Sequence, residues 1–414
     1  GREAAAPQQE ASPSASPGET PTAAATLPGQ ASLRLSMPLL YLPATPTAPP
    51  ATPTAWPKPP VQQLTEDIQA VAAGGGYAYL GTRGGLIIVD VRDPAQPKPL
   101  GRVNFGWPAG VVAADVYWLG ARVVVLGLDR GADRETVQPG SFLATVDVRD
   151  PVAPRLLQLL PQREVSFGLD QAGDVLVLAG FHRQACDGTG DGGLLVYEAG
   201  GEGGLTQIAC HPLVGVSPLA VGAEGGEVVL TGISAPDEKS QSVHWFDLTA
   251  PGKPLLRRSE PSRATTALFH AARQRGLSVI GGPSANHLLI QLALQGWSPT
   301  PLRLVSIGGH PSCGLSGIAK LDGSWFLRVD RNCDDPTLIR WSGKIHEPTP
   351  RGELDRIVID GQVDLQPGEG AIGIWNSMAA ADGLVFLADQ SHGGILTILD
   401  VRDGGAPRIV GRLD

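Results

Sequence analysis

One glycine-rich segment, residues 187–192, carries side chains that could bind a metal ion. Asp187 and Asp191 alternate with Gly and Thr, and Glu198 follows where the last ligand of a calcium loop would stand. Carboxylates at this spacing resemble the ligands of an EF-hand. Thr189 stands where that loop needs Asp or Asn, and an EF-hand also needs flanking helices. We therefore interpret the segment as a hairpin loop, with a weak calcium site as the alternative.

Three further residues, Glu66, Asp67 and Asn376, could supply carboxylate and amide oxygens to a metal ion. Each stands at or just before the start of a short apolar run, and they are far apart in the chain. They could converge only if the fold gathers the starts of separate strands around one axis. We keep them as a candidate metal centre, with ordinary capping residues as the alternative. No cofactor is expected, and calcium is the alternative.

The other reactive side chains form no recognised catalytic arrangement. The histidines are scattered, and none lies in an H-x-x-x-H or H-E-x-x-H motif. No G-x-S-x-G motif marks a serine nucleophile. Glycine-rich stretches such as residues 74–76 lead into strand-like runs, whereas a phosphate-binding loop leads into a helix. No catalytic residue is assigned, so the sequence leaves enzymatic activity open and favours its absence.

The four cysteines fall into two local pairs, Cys186 with Cys210 and Cys313 with Cys333. An even number of cysteines is compatible with two disulfides and an oxidising compartment. The alternative is four buried thiols. Because no C-x-x-C motif occurs, zinc and redox sites are disfavoured.

The charge pattern excludes several classes of partner. The formal net charge is −9 and no Lys/Arg-rich stretch stands out, so a nucleic-acid partner is not expected. No apolar run is long enough for a transmembrane helix.

Two regions of different composition divide the chain. Residues 1–60 are rich in Pro, Ala, Thr and Ser, which predicts a disordered, low-complexity arm or stalk. Residues 33–41 alternate apolar and polar side chains within this arm, and they could form a docking strand or a disordered piece of the arm. Residues 61–414 consist of short apolar runs separated by Gly and Asp.

Internal repetition is the strongest signal in residues 61–414. The runs 84–94, 144–151 and 394–403 share the pattern of apolar residues, Asp, Val, Arg and Asp, and a weaker copy covers residues 243–251. The marker Asp residues of these runs are Asp90, Asp147, Asp247 and Asp400. Their spacing is close to multiples of roughly 50 residues, the period of a four-stranded propeller blade. We therefore predict an all-β fold, a seven-bladed β-propeller of four-stranded blades. Its ring could close by packing alone, or residues 33–41 could supply an extra edge strand.

Each copy of the pattern also predicts a local turn. Asp93, Asp150 and Asp403 follow the apolar run, and we expect their carboxylates to accept hydrogen bonds from turn amides. Pro94 and Pro151 follow the first two of them and fix the backbone angle φ.

The repeated pattern resembles the LVIVD repeat of bacterial propeller proteins. The resemblance is good in residues 86–94, 144–151 and 395–403 and faint in the middle of the chain. It implies an exported or surface-located β-propeller. The family carries no common catalytic residues, so it implies no reaction.

These observations favour a secreted or surface-anchored, non-enzymatic binding or scaffold protein whose loops contact a protein or glycan partner at the cell surface. Two alternatives stay open. One is a propeller hydrolase or lactonase with a metal in the central channel. The other is a structural subunit of a cell-envelope complex.

Overall fold

The computed structural model describes sixteen stretches of the chain. They are residues 67–129, 140–162, 166–180, 186, 192–200, 203–234, 240–262, 270–274, 277–281, 287–292, 303–306, 312–331, 335–346, 355–365, 378–389 and 394–413. All of them belong to one compact unit, Pro57–Asp414. The predicted arm of residues 1–60, including the predicted strand of residues 33–41, lies outside the described residues. No helix in the described part could span a membrane.

Every regular element of the described residues is a β-strand. In chain order the strands are β1 (Ile68–Gly74), β2 (Tyr77–Thr82), β3 (Gly85–Asp90), β4 (Lys98–Asn104), β5 (Val111–Trp118), β6 (Arg122–Asp129), β7 (Ser141–Asp147), β8 (Arg155–Gln162), β9 (Ser166–Ala172), β10 (Val175–Gly180), β11 (Gly192–Ala199), β12 (Leu205–Leu213), β13 (Val216–Glu224), β14 (Glu227–Ser234), β15 (Gln241–Asp247), β16 (Leu255–Pro261), β17 (His270–Gln274), β18 (Leu277–Gly281), β19 (His287–Leu292), β20 (Arg303–Ser306), β21 (Ser312–Leu321), β22 (Ser324–Arg331), β23 (Asp335–His346), β24 (Asp355–Asp364), β25 (Met378–Ala381), β26 (Leu384–Asp389), β27 (Ile395–Asp400) and β28 (Arg408–Leu413).

The described strands form six hydrogen-bonded sheets, so the prediction of seven separate four-stranded blades is wrong in the number of sheets. Five sheets have four strands each, namely the first (β1–β4), second (β5–β8), third (β9–β12), fourth (β13–β16) and last (β25–β28). One sheet has eight strands, β17–β24. It consists of two antiparallel halves that join where β20 and β24 pair in parallel through Val305 with Asp355 and Ser306 with Arg356. Within its own half, each of β20 and β24 is an edge strand. Two such edges pair readily where they meet.

The sheets are arranged as a β-propeller around one axis. The strand that begins each run of four contacts its counterpart in the next run, in the order β1, β5, β9, β13, β17, β21 and β25. The strand β25 then contacts β1, which closes the ring. Among the described residues, the last sheet consists of strands from its own end of the chain.

Tight two-residue turns join the first and second strands of several sheets. Gly75 and Gly76 have φ values of 63° and 82°, and Asp382 and Gly383 have 53° and 75°. Gly-Gly and Asp-Gly pairs suit such turns, because both residues must adopt a left-handed backbone. These turns keep consecutive strands antiparallel and adjacent.

Neighbouring sheets bury their apolar faces against each other. Between the first and second sheets, Ile88, Leu86, Val123 and Val125 belong to one buried cluster. Between the last and first sheets, Leu80, Val89, Phe386 and Ile398 belong to another. Since both faces of a sheet are covered, the strands read as continuous Val, Ile and Leu runs instead of alternating patterns.

A corner built from Asp and Arg follows the third strand in three sheets. The carboxylate of Asp147 accepts hydrogen bonds from the backbone N–H of Arg149, at 3.1 Å, and from its guanidinium group. Asp90 with Arg92 and Asp400 with Arg402 repeat this arrangement. The marker Asp therefore fixes the start of the turn.

The turns after these corners agree with two of the three predicted Asp contacts. Asp93 accepts a hydrogen bond from the backbone N–H of Ala95, and Asp150 accepts one from Val152. The carboxylate of Asp403 accepts a hydrogen bond from the guanidinium of Arg408, 2.6 Å away.

A glycine in the fourth strand of three sheets receives the turn of the neighbouring sheet. A Cβ atom on Gly101 would overlap the carbonyl oxygen of Pro151, and one on Gly411 would overlap that of Pro94. Gly361 stands in the same relation to Gly405 in the last sheet. We call this contact the glycine notch. Through Gly411 and Pro94 it also joins the last sheet to the first.

A β-bulge places each notch. Pro99 pairs with Val89 and Gly101 pairs with Ile88, so Leu100 is an extra residue in the outer strand. The pairs of β27 with β28 and of β23 with β24 shift register just before Gly411 and Gly361. A bulge bends its strand, and here it turns the outer strand toward the neighbouring turn.

The glycine notch predicts a specific sensitivity at the closing seam. Replacement of Gly411 by Ala should lower the free energy of unfolding by about 2 kcal/mol, because the new methyl group must push away a backbone carbonyl. Equilibrium unfolding in urea, followed by tryptophan fluorescence, measures the change. Gly252→Ala is the control, since a Cβ atom on Gly252 meets nothing within 4 Å. Equal stability of the two variants would contradict the notch.

Candidate functional site

The inner strands of the ring bring together a polar cluster that the sequence analysis did not identify. The first strand of each sheet is an edge, and its backbone N–H and C=O groups on the channel side need partners. Charged side chains from β5, β9 and β21 meet this need in β5, β9 and β13. We call the group formed by Asp115, Tyr117, Asp170 and Lys320 the channel cluster.

Asp115 and Asp170 make the same pair of contacts in successive sheets. Asp115 Oδ1 accepts a hydrogen bond from the next N–H in its own strand, and Oδ2 accepts one from Leu169 N in β9, 3.3 Å away. Asp170 Oδ1 binds Gln171 N, and Oδ2 binds Ala223 N in β13 at 2.7 Å. Both residues are buried. Each carboxylate therefore fastens its inner strand to the next one.

Lys320 completes the arrangement from another part of the ring. It lies in β21, and its Nζ donates a hydrogen bond of 2.9 Å to the carbonyl oxygen of Ala223. The same Nζ lies 3.9 Å from Asp170 Oδ2. Both backbone groups of Ala223 are thus bound by charged side chains from other sheets.

Tyr117 adds a neutral donor to this cluster. Burial, together with the neighbouring carboxylate of Asp170, raises the pKa of its hydroxyl well above the usual range. The hydroxyl therefore keeps its proton and hydrogen-bonds to Asp170. The cluster combines a neutral phenol with an ammonium–carboxylate pair, and this chemistry suits fastening the strands better than proton transfer.

The metal ligands proposed from the sequence do not come together within the described residues. Asp67 pairs with Arg83 Nε at 3.0 Å, and both side chains are solvent-exposed. Glu66, Asn376, Asp187 and Asp191 lie outside the described residues, so their role stays a prediction. In the described part of the chain, no group of three or more His, Cys, Asp or Glu side chains is placed to hold a metal ion.

One of the two predicted disulfides is present. Cys186 is bonded to Cys210, with their Cα atoms 5.4 Å apart. Cys210 lies in the outer strand β12, so the bond ties residue 186 to the rim of the third sheet. Cys333 lies outside the described residues, and the bond between Cys313 and Cys333 stays a prediction.

The sequence contained a signal for the channel cluster. Asp115 and Asp170 interrupt otherwise apolar runs, and an ionisable side chain inside a buried strand needs a partner. The polar residues singled out from the sequence stand at the starts of the inner strands, whereas Asp115 and Asp170 lie toward the ends of theirs. The contact between Lys320 and Ala223 had no sequence signal, because it joins β21 to β13 across the ring.

A buried histidine marks the seam between the third and fourth sheets. His244 is 4% exposed, and its ring nitrogens lie 2.8 Å from Ser242 Oγ and 3.0 Å from Ser259 Oγ. Burial, with a smaller effect of His211, lowers the pKa of His244 to about 4. Burial also lowers the pKa of His211, whose ring lies 5.1 Å from that of Phe246. The seam therefore contains neutral imidazoles at neutral pH.

The channel cluster predicts energetic coupling between Asp170 and Lys320. Asp170→Ala should cost about 3 kcal/mol, because it leaves buried amides without an acceptor, and Lys320→Met about 1 kcal/mol. The double variant should lose about 1 kcal/mol less than the sum of the two. Urea unfolding of the four proteins gives these values. The exposed pair Asp67 and Arg83, tested as Asp67→Ala and Arg83→Met, is the matched control and should couple by less than about 0.5 kcal/mol. Additive losses at Asp170 and Lys320 would refute the contact.

His244 predicts a loss of stability in mild acid. Its pKa is about 4 in the folded protein and 6.5 when unperturbed. The unfolded chain therefore binds the proton more tightly, and stability falls as the pH drops from about 6.5 to about 4. Between pH 7 and pH 4.5 His244 should account for a loss of about 2 kcal/mol, which His244→Gln should remove, leaving only the smaller loss due to His211. Urea unfolding at both pH values tests this prediction.

Protonation of Asp400 should not obscure that test. The guanidinium of Arg402 lowers the pKa of Asp400 to about 2, so its stabilising contact is lost only below the ordinary Asp range. A variant as sensitive as the wild type between pH 7 and pH 4.5 would show that His244 is not the titrating group.

Comparisons with known proteins agree with this fold. The LVIVD repeat profile matches residues 67–104, which contain the whole first sheet. No curated protein sequence matches the chain. A protein of unknown function from Desulfotomaculum acetoxidans DSM 771 is similar in structure, with a TM-score of 0.54 and 11% identity over 80% of this chain and 92% of that one.

Two further solved structures show the same fold. A proposed 6-phosphogluconolactonase from Bacteroides fragilis NCTC 9343 has a TM-score of 0.52 and 10% identity, over 84% of this chain and 97% of that one. A chain of a mitotic checkpoint complex has a TM-score of 0.54 and 12% identity, over 89% and 99%. Identities this low establish the fold alone.

The fold and the ring closure define this protein as a β-propeller. The match of residues 67–104 to the LVIVD repeat supports the resemblance to LVIVD-repeat propeller proteins that the sequence implied.

Proposed function

We propose that this protein is a non-enzymatic binding or scaffold protein that works outside the cytoplasm. The observation that carries the proposal is the use of the channel carboxylates. Asp115 and Asp170 bind backbone amides of neighbouring strands, and Lys320 binds a carbonyl group. Because these ionisable groups are engaged in joining sheets, the outer surfaces and loops are the better candidates for contact with a partner.

The compartment is inferred from the disulfide. A bond between Cys186 and Cys210 persists in oxidising surroundings and is rare in the cytosol. This supports a secreted or surface-anchored protein, in which a predicted arm of residues 1–60 spaces the propeller from its attachment. We propose that the partner is a protein or a glycan at the cell surface.

One observation favours a second candidate, a metal-dependent propeller lactonase or hydrolase. A proposed 6-phosphogluconolactonase shares the fold, although at 10% identity. In this chain, calcium ligands would have to come from Glu66, Asp67 and Asn376 at the starts of inner strands. The 3.0 Å ion pair between Asp67 and Arg83 disfavours this set, because the guanidinium competes with a cation for the carboxylate.

Removal of metal ions separates the two candidates. We expect the purified chain to carry no stoichiometric calcium or transition metal by elemental analysis and to keep its melting temperature in EDTA. We also expect that it does not hydrolyse 6-phosphogluconolactone faster than the spontaneous rate. A melting temperature that falls in EDTA and recovers with calcium, together with lactone hydrolysis, would support the enzyme.

The scaffold role has its own test. Cross-linking in the native envelope, followed by mass spectrometry, should recover partner peptides attached to residues on the outer surface of the propeller. Stoichiometric recovery within one large complex would identify a structural subunit of the envelope, the third candidate from the sequence. Absence of any cross-linked partner would contradict both the binding and the structural role.

A further inference from the structure

A cleft with a volume of about 380 Å³ lies where the last sheet meets the first. Its walls come from the two-residue turns of both sheets and from their Asp–Arg corners. The residues that define it are Tyr77, Arg92, Pro94, Asp382, Phe386 and Arg402. We call it the seam cleft. Its size is at the lower end of the range for sites that bind small ligands or single side chains.

Two guanidinium groups, together with the carboxylate of Asp382, give the seam cleft its electrostatic character. The side chains of Arg92 and Arg402 are 65% and 58% exposed, while their partners Asp90 and Asp400 are 17% and 8% exposed. The two carboxylates are therefore the more buried members of these pairs, and the two guanidinium groups face the solvent. Each Asp binds the Nε and Nη2 groups of its Arg. A guanidinium carries more N–H donors than one carboxylate uses, so each Arg retains donors for a second anion.

The two arginines are held in place before any ligand arrives. A Cβ atom on Gly76 would lie 2.7 Å from Arg92 Cγ, and one on Gly383 would overlap Arg402 Cγ. The arginine stems thus lie directly on the two glycine turns. The turns are joined by a hydrogen bond of 3.1 Å from Gly76 N to Asp382 Oδ2. Groups that are already ordered lose little entropy on binding.

The other walls distinguish between classes of anionic ligand. Pro94 supplies accessible apolar surface to the lining, which suits an aliphatic side chain, whereas Leu384 and Phe386 are almost fully buried. The Arg92 guanidinium lies over the Tyr77 ring, 5.6 Å from its centroid, so it occupies one face on which a sugar could stack. Asp382 adds an acceptor for a peptide N–H group. These features favour a peptide over an acidic sugar.

We propose that the seam cleft binds an extended peptide segment in which a carboxylate side chain stands next to an apolar side chain. The inference rests on the proposed binding function and deepens it, since it names the site and the chemistry of the partner. The carboxylate pairs with Arg92 and Arg402, and the apolar side chain covers Pro94.

The repeats of this chain supply a matched control. Arg149 occupies the same corner in the second sheet, is 70% exposed and binds Asp147 through the same atoms. It is not part of the seam cleft. Arg149→Met therefore breaks the corresponding intramolecular pair but leaves the cleft intact.

The experiment uses two blocked peptides, acetyl-Gly-Leu-Glu-Leu-Gly-amide and its Gln counterpart, titrated into the full chain by nuclear magnetic resonance or calorimetry. We expect the Glu peptide to bind about tenfold more tightly than the Gln peptide, with affinity falling as salt rises. The double variant Arg92→Met/Arg402→Met should weaken binding of the Glu peptide about tenfold. Arg92→Lys should retain part of the affinity, and Arg149→Met should bind like the wild type.

Each other outcome has a defined meaning. Binding of the Glu peptide that survives the double variant would place the site elsewhere, which overturns this inference and leaves the proposed binding function standing. Equal binding of the two peptides, or no binding of either, would overturn the carboxylate site. Tighter binding of an oligogalacturonate, lost in the double variant, would reassign the cleft to acidic sugars.

Discussion

Burial of apolar sheet faces against their neighbours is the interaction on which the whole structure depends. A four-stranded sheet such as β1–β4 has two apolar faces, and neither can be covered by its own strands. One face is covered by the second sheet and the other by the last sheet. The need to cover every face holds the chain in a closed ring, because an open row of sheets would leave two faces in water. The polar contacts at the inner and outer margins then fix how the sheets are aligned.

The contacts that align neighbouring sheets divide into an inner and an outer set. At the axis, Asp115 and Asp170 bind amides of the following strands, and at the rim the glycine notch accepts the neighbouring turn. The seam between the second and third sheets has a different solution. There Gln158 binds the backbone of Leu205 through both ends of its amide group, at 2.6 and 3.3 Å. A polar side chain thus replaces the glycine and turn where the repeat pattern is weak.

Sequence periodicity was sufficient to predict the all-β propeller, and local chemistry was sufficient for the turns. Asp93 and Asp150 make the predicted contacts because Asp, Pro and the next residues lie within one turn. Cys186 and Cys210 pair as predicted across a short separation. The number of sheets was beyond the pattern, because pairing of β20 with β24 depends on how two edges approach in space. The contact between Lys320 and Ala223 was not predicted, because it too depends on how separate strands approach in space.

The closing seam has a consequence for how the protein is made. The hydrogen bond from Gly76 to Asp382 joins residues 306 positions apart. While synthesis is still under way, the first sheet therefore displays an uncovered flank that the last sheet later shields. Until then, this flank is a natural target for chaperones and for unwanted association with another nascent copy. Closure of the ring of repeats is thus the last step of folding, and the chain is most prone to aggregation before it.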